Sequence, residues 1–393
     1  MSLKASYHDI PVRGRAVLVR EDLNVPLKDG GVGDETRLRA ALPTLRGLSD
    51  AGAKLIVMSH LGRPKGRVDP ALSLRPVAER LSALLARPVA FAEDCIGPPA
   101  EGAVKKLKDG DILLLENVRF HAGDEANDAG FATQLAQLGE IYVNDAFAAS
   151  HRAHASVVGV AERLPAYAGD LMLSELQALH RALDEPRRPL VAIVGGAKIS
   201  TKAGVLRHLL NKVDRLLIGG AMANTFFKAD GKEVGASLAE DSALDEARAV
   251  AGLAGEKLVL PLDAVCARQM AAGQEKRTFA VDSVEPGWRM LDAGPRTQEC
   301  FATEVSRAGT IVWNGPVGVS EIPDFACGTR SLGEAVATSG AYSLIGGGDT
   351  AAAVEALGLA GRFSHVSTGG GATLEYLEGR KLPGVEALRD ASP

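Results

Sequence analysis

Short apolar runs alternate with amphipathic stretches along almost the whole chain. The runs are rich in Val, Ile and Leu and have the length of buried strands, while the stretches between them repeat apolar positions at helical spacing. Strands separated by helices indicate parallel sheets. In the first half, the predicted strands are residues 16–20, 54–59, 89–92, 112–115 and 141–143. In the second half, they are residues 190–194, 216–218, 258–260, 310–313, 343–345 and 365–367.

The length of 393 residues indicates two domains, with three as the alternative. The pattern predicts the α/β class, with two doubly wound, Rossmann-like domains built on parallel sheets. Pro165 and Gly169 interrupt the pattern between the two sets of strands, so we expect a first domain over residues 1–169 and a second over 170–379. A helix over about residues 173–184 is predicted as the connector. The tail, residues 380–393, is expected to pack back on the first domain.

Composition and charge narrow the possible classes of protein. Aromatic residues make up 4% of the chain and the net charge is -5, so the chain lacks the overall basic character of a nucleic-acid coat. No apolar run approaches the roughly 18 residues of a membrane span, and the first residues lack the apolar core of a signal peptide. The four cysteines are far apart and show no metal-ligand spacing. We therefore expect a cytoplasmic protein that binds neither nucleic acid nor membrane.

Polar and charged residues follow the predicted strands of the first half. Ligands of open α/β sheets bind beyond the carboxyl ends of the strands, so side chains at those ends are expected to converge on one crevice. The candidate residues at these ends and in neighbouring loops are Arg20, Asp22, Asn24, Arg37, His60, Leu61, Gly62, Arg63, Arg119, His151, Arg152 and His154. The arginines and histidines predict a site for a carboxylate or phosphate, because the guanidinium fork binds either group bidentately.

Each of these residues taken alone also has a structural interpretation. A single arginine at a strand end is usually a surface residue, and His60 before Leu61 and Gly62 is compatible with a turn cap. Asp22 and Asn24 belong to residue types that bond loop backbone. The functional prediction depends on the cluster, because independent strand ends deliver the same charge to one place.

Glycines follow the predicted strands of the second half. The segment from Pro189 to Lys202 begins as an apolar strand and breaks at Gly195 and Gly196. It is predicted to continue as a helix with Lys198 and Lys202 one turn apart on one face. Glycine lets a ligand approach the backbone, and free N–H groups at a helix start attract anions. The segment predicts a polyphosphate site without a Walker A motif; the alternative is a tight turn with two solvated lysines.

Glycines recur at later strand ends, at Gly219-Gly220, Gly315, 346–348 and 369–371. Residues 346–350 are predicted to open a helix, where Asp349 offers a hard oxygen ligand for Mg²⁺ and Thr350 a hydroxyl donor for phosphate. This repetition predicts one nucleotide lying along the sheet edge. A nicotinamide-dependent dehydrogenase is an alternative, although no G-x-G-x-x-G follows any strand. A non-catalytic polyanion-binding module is another, although the net charge is negative and aromatic residues are not interleaved.

Several short motifs together resemble the phosphoglycerate kinase family, and its bacterial, monomeric form most closely. The motifs of the first half are Arg20-Glu-Asp-Leu-Asn-Val-Pro26, Ser59-His-Leu-Gly-Arg-Pro64, Leu115-Glu-Asn-Val-Arg-Phe120 and His151-Arg-Ala-His154. Those of the second half are Gly195-Gly-Ala-Lys198, Trp313-Asn-Gly-Pro-Val-Gly318 and Gly347-Gly-Asp-Thr350. They occur in the family's order and at similar spacing, from about residue 10 to 380.

The resemblance implies an enzyme, a phosphotransferase with a carboxyl group as acceptor. The implied reaction is the reversible, Mg²⁺-dependent transfer of a phosphoryl group between 1,3-bisphosphoglycerate and ADP, giving 3-phosphoglycerate and ATP in glycolysis and gluconeogenesis. The implied architecture is two domains joined by a hinge helix that close for the transfer. The ionised acceptor needs no general base, so the reaction requires positioning and stabilisation of charge on the transferred group.

The matching motifs also imply which residues hold each ligand. Phosphoglycerate is assigned to Asp22, Asn24, Arg37, His60, Arg63, Arg119 and Arg152. The nucleotide is assigned to Gly195, Gly196, Lys198, Lys202, Gly219, Gly220, Asn314, Pro316, Glu321, Gly347, Gly348, Asp349 and Thr350. Arg37, Lys198 and Lys202 are expected to act in catalysis, and Asp349 is expected to bind Mg²⁺.

Two departures from the family pattern affect these expectations. The family usually has Gly-Thr-Ala before its His-Arg pair, where this chain has Ala148, Ala149 and Ser150. Loss of glycine restricts the backbone, and loss of threonine removes a hydroxyl, so both changes are expected to affect the placement of that loop. Glu21 stands where a small or apolar residue is usual. It is expected to add a negative charge beside the anion site; the alternative is a side chain that faces away from the crevice.

Overall fold

The computed structural model describes residues 4–28 and 30–391, which form two compact units. The first unit runs to Gln177 and resumes at Lys381, and the second spans Ala178–Arg380. The strands of the first unit are β1 (Ala16–Arg20), β2 (Leu27–Lys28), β3 (Gly31–Val32), β4 (Lys54–Met58), β5 (Val89–Ala92), β6 (Ile112–Leu115), β7 (Ile141–Asn144) and β8 (Ala166–Ala168). Those of the second are β9 (Leu190–Val194), β10 (Arg215–Ile218), β11 (Leu258–Val259), β12 (Asp263–Ala267), β13 (Arg277–Ala280), β14 (Arg289–Ala293), β15 (Thr310–Asn314), β16 (Tyr342–Gly346) and β17 (His365–Val366).

Helices occupy most of the connections between these strands. The first set comprises α1 (Thr36–Asp50), α2 (Arg75–Leu85), α3 (Gly97–Val104), α4 (Ala122–Glu125), α5 (Ala129–Ala136), α6 (Asp170–Leu183) and α7 (Ala203–Leu210). The second comprises α8 (Ala221–Ala229), α9 (Leu244–Ala254), α10 (Pro295–Ser306), α11 (Cys327–Thr338), α12 (Gly348–Ala356), α13 (Gly371–Leu377) and α14 (Pro383–Glu386). No helix in the described part of the chain is long and apolar enough to cross a membrane.

The first unit is built on a six-stranded parallel sheet in the order β5-β6-β4-β1-β7-β8. Its central strands are buried on both faces, which explains their nearly continuous apolar sequence. Arg20 at the end of β1 is in register with Met58 of β4 and Asn144 of β7. Three central strands therefore end at one level, and the polar residues that follow them leave the sheet side by side.

The second unit contains another six-stranded parallel sheet, in the order β11-β10-β9-β15-β16-β17. Val194 of β9 pairs with Asn314 of β15, and Asn314 pairs with Gly346 of β16. The glycines that follow these strands therefore lie along one sheet edge. The prediction of an α/β protein with two parallel-sheet domains is confirmed.

The structure corrects one local prediction and adds elements that the pattern did not reveal. Residues 197–202 form turns rather than a helix, and α7 begins only at Ala203. Lys198 and Lys202 are therefore not neighbours on a helical face. The apolar pattern also missed the short edge strand β8 and a three-stranded antiparallel sheet in the order β13-β12-β14. β8 has only three residues and the first two residues of β13 are exposed, so sequence periodicity alone carries little signal in these two strands.

The carboxylate of Asp145 holds the start of α6. Its Oδ1 accepts a hydrogen bond from the backbone N–H of Met172 at 2.9 Å. A methyl group on Gly169 would collide with the same carboxylate, so only glycine fits before this helix. Within the first unit, the C-terminal tail packs on neighbouring segments, where the backbone N–H of Arg389 donates to Ala166 O at 3.1 Å.

Candidate functional site

A set of cationic side chains lies at the carboxyl edge of the first sheet, and we call it the cationic cluster: Arg20, Arg37, His60, Arg119 and Arg152. Burial lowers the pKa of His60 well below its usual range, and the positive charges of Arg20, Arg119 and Arg37 lower it further. Burial likewise lowers the pKa of Arg119, with contributions from Arg20 and Arg152. These effects place the five side chains in one region of the unit, although they come from five separate segments.

Asp22 and Asn24 organise the loop after β1. The Asp22 carboxylate accepts from Arg37 Nη1 at 2.8 Å and from the Asn24 backbone N–H at 3.2 Å. Arg37 is the second residue of α1 and its side chain is 37% exposed, so it remains open to a ligand while Asp22 orients it. Asn24 Oδ1 in turn accepts from the Gly62 N–H at 2.8 Å. Asp22 and Asn24, two of the predicted ligands, therefore bond other groups of the protein: Asp22 bonds the Arg37 side chain, and Asn24 bonds the backbone of Gly62.

The turn after β4 is held by Asn117 and Arg119. Asn117 bonds both the N–H and the carbonyl of Leu61, at 3.2 and 2.8 Å. Arg119 Nη1 donates to the Gly62 carbonyl at 2.9 Å. Gly62 has a positive φ of 62°, and a methyl group there would approach Leu72 to 2.7 Å. Sequence reasoning missed Asn117, because a polar residue directly after a strand gives no sign of which loop it will bond.

Arg63 and the loop containing His151 complete the predicted phosphoglycerate residues. Arg63 directly follows Gly62 and is exposed. Arg152 Nε donates to His151 Nε2 at 3.1 Å. His154 is buried, with Nδ1 3.8 Å from the carboxylate of Asp124. Burial lowers the pKa of His154, and the opposing effect of Asp124 does not cancel it.

The departure at residues 148–150 is accommodated without strain. Residues Phe147–Ala149 form a 3-10 turn, and Ala148 does not have a positive φ, so a glycine is not required there. Ser150 is buried, and its hydroxyl donates to Ala146 O at 3.0 Å. The loop therefore has a hydrogen bond of its own in place of the missing threonine hydroxyl.

The environment of Glu21 differs from the expectation that this residue adds a negative charge beside the anion site. Its side chain is completely buried, and neither carboxylate oxygen accepts a hydrogen bond from a donor among the described residues. Burial raises the pKa of Glu21 well above its usual range, the Asp145 and Asp22 carboxylates raise it further, and Arg20 opposes them. Asp145 is also buried, which raises its pKa to about 6. The uncharged form of Glu21 is therefore favoured beside the cationic cluster.

The second unit contains a cavity of about 660 Å³ at the glycine-rich edge of its sheet. Six residues predicted for the nucleotide line it: Gly196, Gly219, Gly220, Pro316, Glu321 and Asp349. Its apolar wall includes Phe227, Leu238, Val281, Met290, Leu291 and Phe301. Sequence reasoning missed this wall because apolar residues of β14, α8 and α10 have the pattern of ordinary core residues.

Lys202 lies beside this cavity in a cage of backbone atoms. Its ammonium donates to Gly195 O at 2.8 Å and to Asn314 O at 3.0 Å. A methyl group on Gly315 would come within 2.6 Å of the ammonium, so glycine is required by the packing. Burial lowers the pKa of Lys202 to about 8, although Asp349 opposes the shift. Lys198, in contrast, is exposed.

The residues around the start of α12 divide into buried and exposed groups. Thr350 is fully buried, and its hydroxyl oxygen accepts from the Gly315 N–H at 2.6 Å. Asn314 is also buried, with no hydrogen-bond partner for its Nδ2 among the described residues. Gly347, Gly348 and Asp349 lie nearer solvent. Thr350 therefore shapes the loop from within, and Asp349 presents its carboxylate at the rim of the cavity.

The sequence model of the family described as phosphoglycerate kinase matches residues 7–380, nearly the whole chain. The chain belongs to the phosphoglycerate kinase family. Its motifs are therefore those of the family, and the fold and both candidate sites are built from the same matched region.

Curated relatives and solved structures agree with this membership. The chain is 52% identical to a phosphoglycerate kinase of Moorella thermoacetica, over 98% of this chain and 99% of the relative. It is 54% identical to that of Rubrobacter xylanophilus, over 98% of both. The solved phosphoglycerate kinase of Coxiella burnetii matches with a TM-score of 0.90 and 43% identity, and that of Pyrococcus horikoshii with 0.85 and 32%; each match covers 98% of both chains.

Membership in the phosphoglycerate kinase family establishes the reaction. The chain is a phosphotransferase that exchanges a phosphoryl group between 1,3-bisphosphoglycerate and ADP, with 3-phosphoglycerate and ATP as the other pair of substrates. The dehydrogenase and the polyanion-binding module are set aside, because neither belongs to this family.

Proposed function

We propose that the cationic cluster of the first unit, with Arg63, holds phosphoglycerate, and that the cavity of the second unit holds the nucleotide. The observation that supports this assignment best is the convergence of Arg20, Arg37 and Arg119, from three segments, on the buried ring of His60. Gathering like charges costs free energy unless an anion compensates them. A substrate that carries a carboxylate and a phosphate provides that compensation.

The proposed catalytic residues are Arg37, Lys198 and Lys202. Arg37 and Lys198 keep exposed charged ends, which suits groups that contact the transferred phosphoryl. Lys202 faces carbonyls that its ammonium bonds, and nucleotide phosphates at the cavity edge are its proposed partners. No general base is assigned, because the acceptor carboxylate is ionised and His60 is buried among cations.

Asp349 is the proposed protein ligand for Mg²⁺. Its exposed carboxylate fits a hard cation, and it stands at the N-terminus of α12 beside Lys202. A single carboxylate is the donor set expected where substrate phosphates and water complete the octahedron. Bound there, the cation would neutralise charge on the nucleotide phosphates.

The hinge closure, the monomeric state and the cytoplasmic location expected from the sequence are part of this proposal.

A pair of arginine variants tests the phosphoglycerate assignment. Arg63→Ala is expected to raise KM for 3-phosphoglycerate by about tenfold or more while leaving KM for ATP unchanged, since one charge-assisted bond is lost. Arg67→Ala removes an exposed arginine of the same loop and serves as the matched control. A coupled assay of ATP-dependent phosphorylation of 3-phosphoglycerate gives both constants. An unchanged phosphoglycerate KM in Arg63→Ala would contradict the assignment.

A further inference from the structure

Arg20 differs from the other arginines of the cationic cluster because its side chain is fully buried. Its Nε donates to the Ser156 hydroxyl oxygen at 3.0 Å, and its Nη1 donates to the backbone carbonyl of Glu21. Its Nη2 lies 3.1 Å from Nδ1 of His60. All three nitrogens of the guanidinium are therefore engaged within the protein, and its side chain presents no surface to a ligand.

The contact between Arg20 and His60 determines where the ring carries its proton. A guanidinium has donors and no acceptor, so Nδ1 of His60 must be the acceptor of this hydrogen bond. A neutral imidazole that accepts at Nδ1 carries its proton on Nε2. The imidazolium form is incompatible with this geometry, because it would set an Nδ1–H donor against the N–H of Arg20.

The surroundings of His60 also favour the neutral ring. The groups that act on it are Arg20, Arg37, Arg119 and His154, and together with burial they lower its pKa well below the usual range. His60 is 6% exposed. Within the described residues, its Nε2 makes no hydrogen bond and is not among the buried unpaired polar atoms. The Nε2–H group is therefore the polar part of the ring that remains for a ligand.

We propose that Arg20 is a positioning residue rather than a direct ligand of phosphoglycerate: by donating to Nδ1 of His60, it fixes the ring as a neutral Nε2–H donor directed at the substrate anion. This inference rests on the proposed function of the cationic cluster. The arrangement has a physical advantage, because a neutral donor adds a directional hydrogen bond without adding one more positive charge among Arg20, Arg37 and Arg119.

Two substitutions of His60 distinguish its ring nitrogens. The amide nitrogen of Gln reaches the position of Nε2, whereas that of Asn reaches only the position of Nδ1. His60→Gln is therefore expected to keep the phosphoglycerate KM within about threefold, and His60→Asn to raise it by about tenfold or more, the effect of one hydrogen bond to a charged group. Equal losses in the two variants would overturn the proposal. KM for ATP should not change in either.

Nitrogen-15 NMR of the full-length, histidine-labelled protein reads the ring directly, with the His60 signals assigned by their loss in His60→Gln. The Nε2–H tautomer is expected at neutral pH, and it should persist as the pH falls through the ordinary histidine value of about 6.5. Arg20→Met should mix the two tautomers, raise the pKa of His60 and raise KM for phosphoglycerate, while Arg20→Lys should restore the Nε2–H form. A merely structural role of Arg20 would not move the tautomer.

The outcomes separate this inference from the proposed function. An Nδ1–H tautomer or an imidazolium at neutral pH would overturn the inference even if Arg63→Ala raises KM for phosphoglycerate. If Arg63→Ala and both His60 variants leave that KM unchanged, the substrate assignment fails, and the positioning role fails with it even if the Nε2–H tautomer is observed. The His60 pair and the spectrum of the unmodified protein decide the question should Arg20→Met fail to fold.

Discussion

The two candidate sites are built from different parts of the polypeptide. In the first unit, the site consists of charged side chains that other protein groups orient, as the Asp22 carboxylate does Arg37 and the Gly62 carbonyl does Arg119. In the second unit, backbone atoms form a larger part of the site: carbonyls surround Lys202, and glycines allow strand ends to meet. Replacing an arginine of the first site is therefore expected to change binding or catalysis, whereas replacing a tightly packed glycine of the second is expected to threaten the fold itself.

The glycines at the strand ends of the second unit have two structural roles. The glycines of the second unit were predicted to let a nucleotide approach the backbone. The structure gives several of them a second reason, because a methyl group on Gly195 would collide with the carbonyls of Gly315 and Pro316, and one on Gly219 with Val317. The same glycine pattern thus serves packing and ligand access together, and the sequence cannot separate the two.

Of the substitutions that test this difference between the two sites, Arg37→Ala is expected to have the largest effect, a loss of kcat. This variant removes the exposed charge proposed to act on the transferred phosphoryl, so kcat should fall by roughly 10³-fold, the scale of an arginine that stabilises transition-state charge. The free energy of unfolding should change little, because the partly exposed pair with Asp22 contributes little to stability. Arg39→Ala, on the same helix and exposed, is the matched control. Turnover near that of the control would remove Arg37 from the catalytic set.

Gly195→Ala is expected to act on stability. The added methyl group would clash with the backbone carbonyls of Gly315 and Pro316, which cannot move as a side chain can, so unfolding should become about 3 kcal/mol easier. Gly252→Ala is the control, because a methyl group there meets nothing within 4 Å inside α9, and alanine should stabilise that helix by about 0.5–1 kcal/mol. Urea denaturation measures both. A stable Gly195→Ala protein would contradict the close packing of these strand ends.

The pH dependence of nucleotide binding should separate the two sites. Lys202 has a pKa of about 8, lowered by burial, so it is charged below that pH and loses its proton above it. KM for the nucleotide should then rise by about tenfold per pH unit above pH 8, since the neutral amine no longer attracts phosphate. KM for phosphoglycerate should stay nearly constant over the same range, because arginines remain protonated. Parallel rises in both constants would argue against this distinction.

The smallest effect is expected from Glu21→Gln, which replaces a carboxyl that is already favoured in its neutral form. Activity at neutral pH should not change. Because the folded state raises the pKa of Glu21, its contribution to stability is complete below the pKa of the unfolded chain and is lost as the pH rises. The unmodified protein should therefore lose stability relative to the variant, by at most about 1.4 kcal/mol per pH unit.

Urea unfolding at a series of pH values measures this difference. Glu79→Gln, an exposed position on α2, is the control and should leave the difference constant. If Glu21→Gln instead unfolded more easily at higher pH, Glu21 would have to be ionised in the folded protein.

Much of the fold and part of the site could be predicted from local sequence. The eleven predicted strands are all present in the structure, because buried parallel strands require unbroken apolar residues. Lys198 and Lys202 were placed on a helix that does not exist there, because a run containing Ser200 and Thr201 resembles a helix start as readily as a turn. The roles of Asn117 and the burial of Arg20 had no sequence signal, since both depend on a loop distant in the chain.

The sequence by itself determined the alternation of strands and helices, the residues at each strand end and the family, since these depend on side-chain chemistry and spacing along the chain. Only the tertiary structure decided which of those residues carry charge to a ligand and which are enclosed. The exposure, the pKa and the hydrogen-bond partners of a side chain depend on segments that are remote in sequence. For example, β1, β4 and β7 end in register and bring Arg20, His60 and Asp145 to one edge of the sheet.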